Sequence, residues 1–141
     1  MVKSNSNLGY LLVRASRAHH ILATRTFGKL GLHHGQPPVL FELNRHDGLT
    51  HNDLAEMLVV TPATISNLIQ RMEVAGFVQR RRDAQDERIS RVYLTDAGRS
   101  ILAEALALAE EMDTTAFAGL SSEEQTTLAN LLQRVEKNMT G

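Results

Sequence analysis

Residues 61–76 read TPATISNLIQRMEVAG. Ile65, Leu68, Ile69 and Met72 recur at i, i+3, i+4 and i+7, the spacing of a single helical stripe. The opposite face carries Ala63, Ser66, Asn67 and Gln70, with Thr64 and Arg71 on its flank. A solvated helix face is ordinarily rich in Glu and Lys, yet Glu73 is the only acidic residue of the stretch. Thr61 is placed to cap this helix and Pro62 to take its first position, where the missing N–H costs nothing. Gly76 is placed to end it in a left-handed conformation.

The flanking sequence supplies a setting. Thr50 with Asp53 three residues on is a capping-box pattern that opens a helix containing Leu54, Ala55 and Leu58. Only Val59 and Val60 separate it from Thr61, so two short helices joined by a tight turn are expected: a helix-turn-helix. Beyond Gly76, Phe77–Arg82 and Ile89–Leu94 read as two strands around the polar tip Asp83–Arg88, a basic hairpin or wing. Arg80, Arg81 and Arg82 are consecutive, so on a strand the middle one faces away from its neighbours. Upstream, a helix is expected from Leu8 to about Leu30, stopped by Gly31, then a short one from Gln36-Pro37-Pro38 to the turn His46-Asp47-Gly48. Downstream, a long helix starts at Thr95-Asp96 and breaks at Gly119; Ser121 and Glu124 then cap a last helix bearing Leu128, Leu131, Leu132, Val135 and Met139. The fold class is mainly α with a small β-hairpin wing. Residues 1–35 are expected to form an N-terminal dimerisation helix, 36–99 the winged helix-turn-helix DNA-binding domain, and 100–141 the C-terminal dimerisation helices, one intertwined domain overall.

An α-helix fits the DNA major groove, where Asn and Gln pair with adenine and Arg with guanine. The candidate DNA-contacting residues are therefore Thr61, Pro62, Thr64, Ser66, Asn67, Gln70 and Arg71, joined by Arg81, Arg88 and Arg91 of the hairpin. An arginine at a wing tip can enter a minor groove, and Asp86, two residues before Arg88, can orient it by a charge-assisted bond. The amide groups at the Thr61 end of the helix are expected to be free for phosphate. A plain surface helix has the same polar residues, and a solvated turn the same Asp86/Arg88 pair; the adjoining helix and basic hairpin are what favour nucleic acid.

Composition agrees. The 141-residue chain is 43% apolar and 22% charged, suited to one globular unit. Its formal charge of −1 conceals a division. Residues 1–60 hold six Lys/Arg against four Asp/Glu and residues 61–99 seven against five, whereas residues 100–141 hold two against seven. There is no cysteine, hence no disulfide and no thiolate chemistry. The apolar patch from Leu8 to Val13 is too short to span a bilayer and lacks a cleavage site, so a cytoplasmic protein without membrane attachment is expected. No glycine-rich phosphate loop or nucleophile signature is present, and no enzyme activity is expected.

The stretch LTHNDLAEMLVVTPATISNLIQRMEVAGFVQRR (49–81), followed by DAQDERISRVYLTDAGR (83–99), resembles the winged helix-turn-helix of the multiple-antibiotic-resistance regulator (MarR) family. The second segment holds that family's wing pattern: Asp86 and Arg88 flanking one residue, then a strand ending in Leu94-Thr95, with Gly98 three positions on. Glu87 stands where many members carry a basic residue, and its charge weakens the wing's attraction to phosphate. The resemblance implies a homodimer with interlocked terminal helices and two recognition helices in successive major grooves of a pseudo-palindromic operator, about 10 bp apart. It implies a transcriptional regulator, a repressor released by a small amphipathic or aromatic ligand held between the dimer helices and the winged domain. By position Arg14, Arg17, His20 and His34 are candidates for that ligand pocket. The competing class is a winged-helix protein-interaction module without DNA binding. The histidines of the pairs His19-His20 and His33-His34 are adjacent in sequence, not i, i+4 on a helix, and no metal or other cofactor is expected.

Overall fold

The computed structural model describes residues 7–141. Residues 1–6, the start of the expected N-terminal segment, lie outside the described residues. The elements run α1 (Leu8–Gly28), α2 (Gln36–Arg45), β1 (Leu49–Thr50), α3 (His51–Leu58), α4 (Pro62–Val74), β2 (Val78–Arg82), β3 (Ser90–Leu94), α5 (Asp96–Ala116) and α6 (Ser122–Thr140). The three strands form an antiparallel sheet in the order β1-β3-β2.

Local chemistry accounts for most of these boundaries. Thr50 and Asp53 make the reciprocal capping box that opens α3, each side chain accepting the other's backbone N–H at 3.1 Å. Those bonds from Thr50 hold the Asp53 carboxyl below its ordinary pKa. Ser121 and Glu124 repeat the box at α6. Gly31, Gly76 and Gly119 all take positive φ where helices end. The helix-turn-helix turn contains a non-glycine residue in the same region: Val59, at φ 55°, an uncommon conformation for a β-branched side chain.

The apolar stripe of α4 forms the floor of the core. Ile65, Ile69 and Met72 are wholly buried beside Val39, Leu40 and Leu43 of α2, Leu54 of α3 and Val92 of β3. Burial of each such side chain contributes roughly 1.5–3 kcal/mol relative to exposure. Phe27, Leu102, Ala105 and Met112 continue this core into α1 and α5. Residues 8–21 of α1 and all of α6 depart from it. Leu8, Leu11 and Ile21 of α1 are exposed, as are Leu131, Leu132 and Met139, and no residue of α6 is buried in the single chain. Among the described residues no helix is long and apolar enough to cross a membrane.

Two details depart from the sequence expectation. β1 was absent from it: Leu49 and Thr50 pair with Val92 and Arg91, adding a third strand to the expected hairpin. α1 ends at Gly28, a little short of the expected Leu30, and the chain turns through residues 29–31 to Gly31.

The Leu94-Thr95…Gly98 pattern has a steric explanation. Thr95 caps α5 by accepting the Gly98 N–H at 3.0 Å, and its hydroxyl donates to the Gly76 carbonyl, tying the end of α4 to the start of α5. The Phe77 carbonyl, which accepts from Thr95 N–H at 3.1 Å, passes so close to Gly98 that a Cβ there would lie 2.0 Å from its oxygen. Gly98→Ala, which in an open helix would be stabilising, is therefore expected to destabilise the domain by about 2–3 kcal/mol through overpacking against backbone. The drop in the urea midpoint at unchanged slope measures it.

Candidate nucleic-acid interface

The stripe that seats α4 turns its other edge outward. Thr64, Ser66, Asn67, Gln70 and Arg71 are all exposed, as are Thr61 and Pro62 at the helix start. The side chains that sequence spacing put on one face are therefore presented together by one rigid element.

The helix start is less open to anions than expected. Thr61 Oγ1 accepts the Thr64 N–H at 3.2 Å and lies 2.9 Å from the Thr64 hydroxyl. Pro62 has no N–H, and Ile65 N–H already bonds the Thr61 carbonyl. Of the expected free amides, those of Thr61 and Ala63 remain without a partner among the described residues. Thr61 is thus first a cap.

The hairpin arginines differ sharply in what they do. Arg80 lays its guanidinium on Glu73 of α4, with Nη2 to Oε1 at 2.8 Å and Nε to Oε1 at 3.2 Å; this pairing holds the Glu73 carboxyl below its usual pKa. Arg82 donates from Nη1 to the Glu87 carbonyl at 2.7 Å, closing the loop on itself. Arg81 sits 4.9 Å above the Tyr93 ring, a cation–π arrangement that leaves it exposed. Arg91 turns inward, donating to the Gly48 carbonyl at 3.0 Å and to Asp83 at 3.4 Å. Arg81 and Arg91 face each other in the β2–β3 register, a pairing of like charges that ordinarily destabilises a sheet. Their separate partners, an aromatic face for one and a carbonyl with a carboxylate for the other, resolve it.

Arg88 matches the expectation most closely. Its Nε and Nη2 bond the two oxygens of Asp86, each at 3.0 Å, and its own N–H bonds Oδ1 at 3.1 Å. The guanidinium is held as a planar fork while its side chain remains 90% exposed at the wing tip. The same bonds, side chain first and backbone second, hold the Asp86 carboxyl below its ordinary range. A cleft of about 540 Å³ runs beneath, lined by Glu73, Arg80, Arg81, Arg82, Glu87, Arg88 and Ser90.

Three contributors escaped sequence reasoning. Asp47 accepts from Leu94 N–H at 3.0 Å and from Arg99 at 3.2 Å, fixing the wing to α5. Tyr93 supplies the ring under Arg81, with Gly48 packed against its other atoms. His51, at the first position of α3, reaches Ser66 of α4. The turn at Asp47-Gly48 was visible in the sequence, but its partners Leu94 and Arg99 lie 47 and 52 positions away, and nothing local marks Arg81 or Ser66 as the partner of Tyr93 or His51.

The proposed ligand residues are brought together only in part. The rings of His20 and His34 meet edge to face at 4.0 Å, and His33 stands 4.2 Å from His34. Burial, then the neighbouring His33 and His20, hold the His34 pKa below its ordinary value. Arg14 lies instead toward Tyr10, 5.8 Å from its ring centre, and Arg17 is exposed on α1. Among the described residues no group of His, Asp or Glu is arranged to hold a metal ion.

Residues 30–89 match the sequence model of the MarR family. An uncharacterized HTH-type transcriptional regulator of Bacillus subtilis, YybA, is 31% identical over 88% of this chain and 83% of its own length. The crystal structure of a probable transcriptional regulator from Pseudomonas aeruginosa superposes with a TM-score of 0.86 at 32% identity, covering 94% of this chain and 99% of that one. Bordetella bronchiseptica BpsR, whose DNA binding is regulated by 6-hydroxynicotinic acid, superposes with a TM-score of 0.88 at 25% identity over 96% and 97% of the two chains. With its helix-turn-helix, its wing and its flanking helices all in that arrangement, the chain belongs to the MarR family of transcriptional regulators.

Proposed function

We propose that this regulator acts as a homodimer that reads a pseudo-palindromic operator through two copies of α4 and represses transcription until a small aromatic or amphipathic ligand binds. The observation that carries the reading is the exposed edge of α4, where Ser66, Asn67, Gln70 and Arg71 reach the surface while the apolar side of the same helix is buried. Groove reading needs both properties: short donors and acceptors at the surface, and a helix unable to roll away from the base edges.

Support for the dimer is the unsatisfied apolar surface. α6 carries Leu131, Leu132, Val135 and Met139 exposed to 47%, 43%, 39% and 68%, and α1 carries Leu8, Tyr10, Leu11 and Ile21 in the same condition. Between the end of α5 and α6 lies a cleft of about 590 Å³ whose apolar lining includes Phe117, Leu120, Leu128 and Leu132. Apolar faces of this extent on a soluble chain mark an interface. Two-fold pairing covers the face of each copy with that of its partner and sets the two recognition helices one helical turn of DNA apart.

Support for a ligand comes from BpsR, whose DNA binding responds to a small aromatic acid. In this chain the meeting of His20 and His34, where α1 passes the start of α2, offers an aromatic, hydrogen-bonding wall to such a molecule, with Arg14 and Arg17 on the same helix as His20. A ligand that favours one separation of the two winged domains shifts the population fit for the operator.

Four outcomes are expected. Binding to duplex DNA should weaken steeply with salt, by a log–log slope of about −0.9 per phosphate neutralised; a flat response points to the protein-interaction module instead. Asn67→Ala or Gln70→Ala should relax base preference, at a cost of about 1–3 kcal/mol where the contact is bidentate, and unchanged preference in both variants counts against α4 as the reader. Arg88→Ala should weaken operator binding and flatten the salt slope by about one phosphate, with the thermal midpoint nearly constant because the Asp86 pair is exposed. A large fall in that midpoint would show Arg88 to be structural. For the dimer, Leu128→Glu with Leu132→Glu removes apolar contacts worth roughly 1.5–3 kcal/mol per side chain, counted twice by symmetry. Sedimentation should show association weakened at least about 100-fold, in favour of monomer; an unaltered dimer places the interface elsewhere.

A further inference from the structure

His51 opens α3, and its Nδ1 lies 3.4 Å from the hydroxyl oxygen of Ser66 on the exposed edge of α4. The other ring nitrogen, Nε2, is shut off from solvent and has no hydrogen-bond partner among the described residues. A neutral imidazole carries one proton, on one nitrogen or the other. On Nε2 that proton would be a buried donor with nothing to bond; an unsatisfied buried lone pair is tolerated more readily than an orphaned N–H. The proton therefore belongs on Nδ1, from which it is donated to Ser66 Oγ. Burial of the ring, aided by the Arg80 guanidinium and opposed by the Glu73 carboxylate, holds the His51 pKa below its ordinary value and keeps the neutral form dominant near pH 7.

The consequence falls on Ser66. Hydroxyls within helices often donate to the carbonyl four residues earlier, and Thr114, Thr126 and Thr140 all do so at 3.0 Å. The contact to His51 is the only hydrogen bond of the Ser66 side chain among the described residues. With one lone pair of its oxygen occupied by the imidazole N–H, the Ser66 O–H is left to donate outward.

We infer that His51 is a positioning residue for base reading: by donating from Nδ1 it sets Ser66 as a hydrogen-bond donor toward the groove. Such a donor bonds to purine N7, guanine O6 or thymine O4, while the one remaining lone pair of its oxygen can still accept from an exocyclic amine. A phosphate oxygen has the same acceptor chemistry but carries no sequence information. The inference rests on α4 being the groove-reading helix.

The test uses the full-length protein, a duplex selected by it from a random pool, and a scrambled duplex at the same salt concentration. The quantity read is the ratio of the two affinities. Ser66→Ala should lower that ratio about 5- to 10-fold, the range of one hydrogen bond, and His51→Ala should lower it similarly. The double variant should lose no more than either single one, as expected for residues acting as a unit. His51→Asn, whose amide N–H₂ replaces the Nδ1–H, should recover most of the ratio. Nitrogen-15 spectra of the free protein should show the His51 proton on Nδ1. A proton on Nε2, additive losses in the double variant, or an equal weakening toward both duplexes would overturn the role given to His51, the last by assigning Ser66 to phosphate. If Asn67→Ala loses the preference while Ser66→Ala and His51→Ala keep it, groove reading stands and the His51 inference alone falls. If the wild-type protein does not distinguish the duplexes, groove reading itself fails and His51 has no base-reading role. Should His51→Ala fold poorly, His51→Asn and the tautomer measurement still decide the matter.

Discussion

Burial of Ile65, Leu68, Ile69 and Met72 is the constraint on which the rest of the molecule depends. A helix with one side fixed against Leu40, Leu43, Leu54 and Val92 cannot roll, so the direction of every side chain on its other edge is set. The wing is then hung from the end of the same helix. Gly76 turns the chain, the Thr95 hydroxyl clasps the Gly76 carbonyl, and the Phe77 carbonyl packs on Gly98, so hairpin and helix move as one body. Arg80 on Glu73 adds a charge-assisted bond across the junction. Reader and wing thus share a single foundation.

A nearly neutral chain can still address a polyanion because its charges are sorted and ordered. The acidic excess lies in residues 100–141, away in sequence from the winged helix-turn-helix. Within the wing, Arg82 and Arg91 serve architecture, one closing the loop on the Glu87 carbonyl and the other holding Gly48. Arg81 and Arg88 are left exposed but already ordered, by an aromatic ring and by a carboxylate. Ordering a long side chain in advance reduces the entropy lost when it meets a phosphate. Arg81 and Arg88 are thus exposed cations whose positions are set within the wing itself.

The terminal helices follow a different logic. α5 contributes Leu102, Ala105 and Met112 to the core of its own chain, whereas α6 contributes nothing to it. Its capping box and regular length make it a well-formed helix with an apolar stripe and no covering surface in one copy. An isolated amphipathic helix gains most of its stability from packing, which is the physical ground for a two-chain assembly.

Local chemistry was written in the sequence. The 3.6-residue stripe of α4, the capping pairs Thr50/Asp53 and Ser121/Glu124, Pro62 at a helix start and Gly76 at a helix end each act within a few residues, so spacing alone is enough to read them. The exposed edge of α4 and the Asp86–Arg88 fork were legible for the same reason. Tertiary structure decided what depends on partners distant in the chain. A two-residue strand such as β1 has no periodicity to detect and exists because Val92 and Arg91 pass beside it. Arg91 faces inward because Gly48, forty-three positions earlier, presents its carbonyl there. His51 and Ser66 meet because α3 packs across α4, and the proton on that imidazole is fixed by the burial of one nitrogen, which composition and spacing do not encode. Sequence specifies what each segment can do alone; only packing specifies which hydrogen-bonding groups it leaves free.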